Sequence, residues 1–435
     1  MRSSRCARCT KSDEYVDKVQ PLGLWGLWWL IGRGESALRL AVLVLLTVLS
    51  VGSVAAQDLK AVYVGSKACE HCHVAAYKGW KQTRMANVVR DPKEHPEAVL
   101  ADFTHADPVR NFELSDVAFV YGSRWKQRYF TKRGDDYFVL PAQWDVKKGK
   151  WLPYHVEKNT DWWVPFYGES NFERPTGPLC DGCHSVNYNV ATKQVAEWNV
   201  GCEKCHGPGS LHVAQPSRKN IVNPETLDFV RGNDTCIQCH SQGQPLTNPI
   251  AGKYFDWPVG YEPGKKLADY WKLEELRPGV TNFYQFADMT AHKNRMQGND
   301  FVQSNMYHRQ LRCFDCHNVH SNENPASVIA RGNALCLTCH AGENPAGLKG
   351  TVSEHTHHAT DSAGSQCTAC HMPRIEQTIK DNFVGSHTFR FISPVLTQQF
   401  NIPNPCTSCH AEKSNEWALR ELRGWNNVSP WRVAQ

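Results

Sequence analysis

Eight times the chain runs Cys-x-x-Cys-His, and few patterns restrict a fold more. The runs are Cys69, Cys72, His73; Cys180, Cys183, His184; Cys202, Cys205, His206; and Cys236, Cys239, His240. Four more follow at Cys313, Cys316, His317; Cys336, Cys339, His340; Cys367, Cys370, His371; and Cys406, Cys409, His410. This is the attachment signature of c-type haem. Two thiols three apart lie on one side of a helical turn, where both reach the vinyl groups of one porphyrin. The next residue sets an imidazole under the iron as proximal ligand. Zinc also takes cysteine pairs, but gives no reason for a histidine after every pair. The cofactors expected are eight covalently attached c-type haems. Numbered in chain order, these runs are motifs 1 to 8.

Of 18 cysteines, 16 fall in these motifs. Cys6 and Cys9 are followed by Thr10, so that pair lacks the proximal histidine. Haem is attached outside the cytoplasmic membrane, so an export signal is expected. Arg33 and Arg39 precede an apolar run from Leu40 to Val51, and Ser53-Val54-Ala55-Ala56-Gln57 offers a cleavage site. The preferred reading is a cleaved signal peptide and a periplasmic protein; an uncleaved N-terminal membrane anchor is the alternative. Residues 1–56 hold seven of the 48 Lys/Arg and four of the 43 Asp/Glu, which leaves 41 against 39. Two propionates per haem add roughly −16 if all ionise near their reference values, so the loaded protein is acidic. With no basic run or basic-aromatic motif, a nucleic-acid partner has no support.

The expected fold is mainly α with much irregular coil, a multihaem cytochrome c fold built around eight covalent haems. With 24 prolines and 30 glycines, short helices and long connections are predicted. Residues 57–240 form an N-terminal cytochrome region with motifs 1–4 and a haem-free insert at 86–179. Residues 241–312 connect it to a C-terminal region, 313–435, with motifs 5–8 and a terminal helix. A small β-rich insert is expected near residues 110–167, with strands Val117–Tyr121, Trp125–Thr131 and Asp136–Leu140 and a Gly134-Asp135 turn. Trp144, Trp151, Tyr154, Trp162, Trp163, Phe166 and Tyr167 follow, read as packing rather than a substrate platform. Helices are predicted from an N-cap at Ser66 towards Met85, over Asn299–Arg312, and over Asn415–Arg423 between Ser414 and Gly424. Cys180 and Cys202 are 22 apart and Cys313 and Cys336 are 23 apart, a weak internal repeat.

A haem that carries electrons has both axial positions filled, whereas a catalytic haem keeps one open. Twelve of the 20 histidines lie outside the proximal positions. His212, His320, His355, His357, His358 and His387 are the favoured distal ligands. His71, His95, His105, His155, His292 and His308 are weaker ones, and His292 with Lys293 and Arg295 offers an open pocket instead.

Val64-Gly65-Ser66-Lys67-Ala68-Cys69 with Tyr77 and Trp80, and Cys-His-Gly-Pro-Gly-Ser at 205–210, form a familiar series. Ser304-Asn305-Met306 before motif 5 and Arg331-Gly332-Asn333-Ala334-Leu335-Cys336 extend it. Gln366-Cys367-Thr368-Ala369-Cys370-His371-Met372-Pro373 and His387-Thr388-Phe389 close it. Together these resemble the cytochrome c-554-like multihaem cytochromes with doubled Cys-x-x-Cys-His pairs, here without C-terminal helical repeats. The resemblance implies extracytoplasmic electron transfer. That family often reads Trp-x-x-Ser-x-His after the first haem; this chain has Met85 at the histidine position, so Met85 is a further candidate ligand and a route to higher potential. The expected function is electron transfer along a haem chain between a membrane or periplasmic donor and an acceptor protein. Its partners would be cytochromes, a quinol-linked membrane donor or an acceptor enzyme, with membrane association possible through the N-terminus. The rival is an octahaem reductase or oxidase of nitrite, hydroxylamine or a sulfur oxyanion at one open haem. No Cys-x-x-Cys-Lys motif is present to mark it, and no catalytic residue is assigned.

Overall fold

The computed structural model describes residues 60–155, 163–167, 170, 172–246, 255–293, 295–342, 347–379 and 382–434. The signal or anchor segment at 1–56 and Trp162 lie outside these. Among the described residues no helix is long and apolar enough to cross a membrane.

One regular sheet stands out, and it lies where aromatic and β-branched residues cluster. Its strands are β1 (Val89–Arg90), β2 (Phe119–Tyr121), β3 (Lys126–Arg133), β4 (Asp136–Asp145) and β5 (Lys150–Pro153). They pair antiparallel in chain order. The β3–β4 hairpin turns at Gly134-Asp135, with Gly134 at φ +58°, a conformation an L side chain resists. One face buries Ala98, Phe112, Val117, Val120, Tyr129, Leu140, Ala142 and Trp151. Trp151 meets Phe103 and Phe112 edge-on, so this tryptophan is core.

The other face positions a motif. Val89, Tyr121, Phe130 and Val139 pack there against Tyr154, Trp198 and Cys180, the first cysteine of motif 2. The Tyr121 hydroxyl donates to Asp181 Oδ1 inside that motif at 2.8 Å. Trp163, Val164 and Tyr167 pack on Leu179 just before it. Trp257, from the connecting segment, lies so close to Gly182 that a Cβ there would fall 1.9 Å from the indole. Motif 2 is therefore enclosed from three sides.

Elsewhere the chain is short helices joined by turns. The terminal helix Asn415–Arg423 forms as read, with Ser414 Oγ accepting from Trp417 N. Two expectations change. Ser66 is not an N-cap: residues Ser66–Cys69 make a 3-10 turn, and the α-helix begins only at Val74 and ends at Lys81. The Ser66 hydroxyl is drawn off to Glu197 and to Cys202. The helix expected over Asn299–Arg312 is two, Gln297–Val302 and Asn305–His308, because Ser304 caps the second afresh by accepting from Tyr307 N.

Candidate haem-binding site

Each attachment motif sits on a single helical turn. The histidine N–H bonds back to the first cysteine's carbonyl in motifs 1, 3, 4, 5 and 8, at 2.8–3.1 Å. That turn is what puts two thiols and an imidazole on one side.

The proximal imidazoles then find partners. A metal–imidazole bond is about 2 Å, so two rings on opposite sides of one metal have centroids about 6 Å apart. Five proximal rings face a second imidazole at that spacing. They are His73 with His212 at 6.2 Å, His206 with His320 at 6.1 Å and His317 with His387 at 6.5 Å. His371 with His355 at 6.3 Å and His410 with His358 at 6.1 Å complete the set. Interplanar angles are 16–33°. Rings in direct contact come far closer, as His357 does to Trp425 at 4.3 Å. The gap between the paired imidazoles has the width of a six-coordinate iron, so these residues fit the haem that their motifs imply.

Several of these rings are oriented from behind. His206 and His317 hold Nδ1 near the carbonyls of Val222 (2.8 Å) and Ala326 (3.0 Å). His212, His358 and His387 do the same with Ser217, Thr356 and Gly385. A ring nitrogen so engaged fixes the tautomer and turns the other nitrogen towards the metal. Burial holds His387 protonation down to about 4, which keeps it neutral and able to ligate.

The other candidates fall elsewhere. Across His73 stands His212; Met85 lies on a 3-10 turn, where its carbonyl accepts from Val200 N. His357 takes a left-handed conformation at φ +55° and stacks on Trp425. His95 and His105 sit beside Glu97 and Asp102 at the surface. His71 and His155 are exposed, His308 rests edge-on to Tyr307, and His292 packs on Phe286 at 4.6 Å.

Two motifs depart from these five: among the described residues neither His184 of motif 2 nor His240 of motif 4 stacks on a second imidazole, and His240 has Gln297 beside it. The ring neighbour of His184 is Tyr121, at 5.5 Å and tilted 51°. Its Nδ1 is buried without a hydrogen-bond partner. Burial first, then the charges of Arg295, Arg128 and Lys204, push its protonation down to about 4. Lys204 donates to the Gly182 carbonyl within the motif, and Arg295 pairs with Asp256. Asp181 is raised to about 6 by burial.

The sulfurs order the motifs in space. Sulfurs of different motifs lie close together: Cys69 by Cys202, Cys183 by Cys239, Cys236 by Cys313 and Cys336 by Cys367. At longer electrostatic reach come Cys205 with Cys236, Cys316 with Cys339, and Cys370 with Cys406. Motifs 1, 3, 4, 5, 6, 7 and 8 thus follow one another, and motif 2 touches the series at motif 4. The sequence spacing had paired motif 2 with 3 and motif 5 with 6, whereas the sulfurs join 1 to 3, 2 to 4, 4 to 5 and 6 to 7. Among the described residues no three or more His, Cys, Asp or Glu side chains converge as a zinc site would need.

A fold of short turns strung with Cys-x-x-Cys-His motifs and facing imidazoles is that of a multihaem c-type cytochrome. The doubled CXXCH family model matches residues 308–345. The outer cell wall cytochrome OcwA has a similar structure, with TM-score 0.67 and 24% identity over 84% of this chain and 87% of that one. The dissimilatory sulfite reductase MccA of Wolinella succinogenes is 22% identical over 80% of this chain. The chain spans 50% of the length of that curated relative.

Proposed function

We propose that this chain is an extracytoplasmic cytochrome with a haem on each of its eight motifs, carrying electrons between a membrane or periplasmic donor and an acceptor protein. The observation that carries this reading is the set of five imidazole pairs at 6.1–6.5 Å. Filling both axial positions favours electron exchange over substrate binding. His212, His320, His387, His355 and His358 are the distal ligands of motifs 1, 3, 5, 7 and 8. The sulfur contacts make a line from motif 1 to motif 8, with motif 2 as a side branch at motif 4. The cell-wall location in the printed name of OcwA supports placement outside the cytoplasm.

A second reading is favoured by one site. The motif 2 iron, enclosed by the β-sheet and Trp257, would have no imidazole across from His184 among the described residues. Arg128, Arg295 and Lys204 lie within electrostatic reach, which suits a small anion such as nitrite or a sulfur oxyanion. A branch end that receives electrons from the line and has no further motif to pass them to is also the arrangement a terminal reductase needs, its electrons leaving on the reduced anion. Electron paramagnetic resonance of the oxidised holoprotein, with spins counted against total haem, tests both readings. All low-spin iron supports a carrier alone. A high-spin species near one haem equivalent that changes on adding nitrite or sulfite, and vanishes with loss of motif 2, supports the reductase. High-spin iron at motifs 1, 3, 5, 7 and 8 would refute the assignments above.

A further inference from the structure

The first turn of a helix leaves N–H groups without an intrahelical partner, and a nearby side chain normally caps them. The turns of motifs 3, 5 and 7 have no such local side-chain acceptor at Cys202, Arg312 or Gln366 for the first cysteine's N–H. In each, that N–H is taken by a residue from a different motif. Cys202 N donates to Ser66 Oγ at 2.8 Å, Cys313 N to Asn233 Oδ1 at 2.9 Å, and Cys367 N to Asn333 Oδ1 at 2.8 Å.

The three acceptors share one address. Ser66, Asn233 and Asn333 each lie three residues before the first cysteine of their own motif, numbers 1, 4 and 6, and each follows a glycine. Both asparagines also use the amide nitrogen in the same way. Asn233 Nδ2 donates to Leu311 O at 3.2 Å, and Asn333 Nδ2 to Ser365 O at 2.8 Å. Leu311 and Ser365 each lie two residues before the cysteine that is held. The amide therefore grips the partner backbone at two points, and Ser66, with one hydroxyl, donates instead to Glu197. Ser66 and Asn233 are fully buried. The sulfur contacts Cys69–Cys202, Cys236–Cys313 and Cys336–Cys367 join the same three pairs. Motif 8 instead has a local cap, Asn404 Oδ1 accepting from Thr407 N. Motif 2 has Gly177 at the corresponding place, against Tyr188.

We infer that Ser66, Asn233 and Asn333 are positioning residues that cap a second motif in trans and so lock motifs 1 with 3, 4 with 5, and 6 with 7 as rigid pairs, which would hold their haems at fixed separation. The inference rests on haem occupying these motifs, as proposed above. It adds which haems are rigidly paired and which residues do it. Motifs 2 and 8 stand outside the clamp.

Asn333→Ala, Asn333→Ser and Asn233→Ala holoproteins test this. Haem per chain is measured first, then hydrogen exchange at the Cys367 amide and the exciton splitting of the Soret circular dichroism. Asn333→Ala should exchange the Cys367 amide about two- to tenfold faster, the loss of one hydrogen bond, while the Cys313 amide stays protected. Part of the exciton signal should be lost at unchanged haem content. Asn333→Ser, copying the solution at Ser66, should restore most of both. Asn233→Ala should move the effect to Cys313. Unchanged exchange and exciton signal in both alanine variants overturns the inference. So does failure of Asn333→Ser to mature when Asn333→Ala also fails, because a hydroxyl suffices at motif 1. A wrong function, by contrast, would leave these readouts intact and show only in the spin count.

Discussion

The helix Val74–Lys81 crosses the loop that carries His320 at Gly79, and that crossing leaves no room for a side chain. A Cβ on Gly79 would lie 2.0 Å from the His320 carbonyl oxygen. Ordinary contact begins at 3.4 Å, so Gly79→Ala requires 1.4 Å of separation (3.4 less 2.0). The obstacle is backbone and cannot swing aside. The loop is also stiff, since Asn318 accepts from both its own turn and the His320 N–H, the latter at 3.0 Å. His320 faces His206 at 6.1 Å, and a metal–nitrogen bond of about 2 Å does not survive a displacement on the order of 1 Å. Gly79→Ala should therefore open the haem of motif 3 and convert about one haem equivalent from low-spin to high-spin ferric iron. Its potential should rise with the loss of a histidine ligand. The assay is spin-counted electron paramagnetic resonance at fixed haem content. His320→Ala should produce the same signal. Gly134→Ala is the control: nothing lies within 4 Å, so only the φ of +58° is penalised, by about 1 kcal/mol. A Gly79→Ala protein with full haem content and entirely low-spin iron would refute the crossing argument. An unchanged His320→Ala spectrum would refute the pairing itself.

Further outcomes follow from the same geometry. Of two adjacent histidines, His358→Ala should create one high-spin haem by freeing motif 8, whereas His357→Ala should alter only the stacking on Trp425, read by the same spin count. His212→Ala should open motif 1, and Met85→Ala should leave every spin and every charge-transfer band in place. The buried pair Lys126–Asp145, with side chains 3% and 4% exposed, gives a stability prediction. Asp145→Ala leaves a buried ammonium and should cost about 3–5 kcal/mol, whereas Lys126→Met with Asp145→Leu should be near neutral. Thermal unfolding by far-ultraviolet circular dichroism separates these, and similar losses for both would refute the argument.

The attachment motifs were legible because covalent chemistry demands a fixed local pattern, and each sits on the turn that pattern calls for. The sheet was legible for a related reason: alternating aromatic and β-branched residues around Gly134-Asp135 leave little choice of register. Distal ligation was only half legible. His212 and His320, close in sequence to motifs 3 and 5, were expected to reach an adjacent haem, and they face the histidines of motifs 1 and 3; spacing alone did not say which. Nothing local separated His357 from His358, because backbone hand decides which ring turns inward. The helix over Asn299–Arg312 was misread because Ser304 looks unexceptional until its hydroxyl is seen taking the Tyr307 N–H. The trans-capping residues did leave a trace, the repeated Arg-Gly-Asn at 231–233 and 331–333. Its meaning lay in the partner motif, about 35–80 residues downstream, where spacing within one motif says nothing.

The imidazole that faces His206 comes from beyond the next two motifs, so iron at that site would tie together segments about 110 residues apart, much as a cross-link closing a long loop restricts an unfolded chain. Maturation then has an order imposed on it. A haem held by Cys202, Cys205 and His206 would lack the imidazole of His320 until that segment was in place, so the N-terminal half would wait on the C-terminal half for its final ligation. Starved of haem, such a chain would lose its fasteners along with its cofactors, and would be expected to unfold rather than persist as an empty shell.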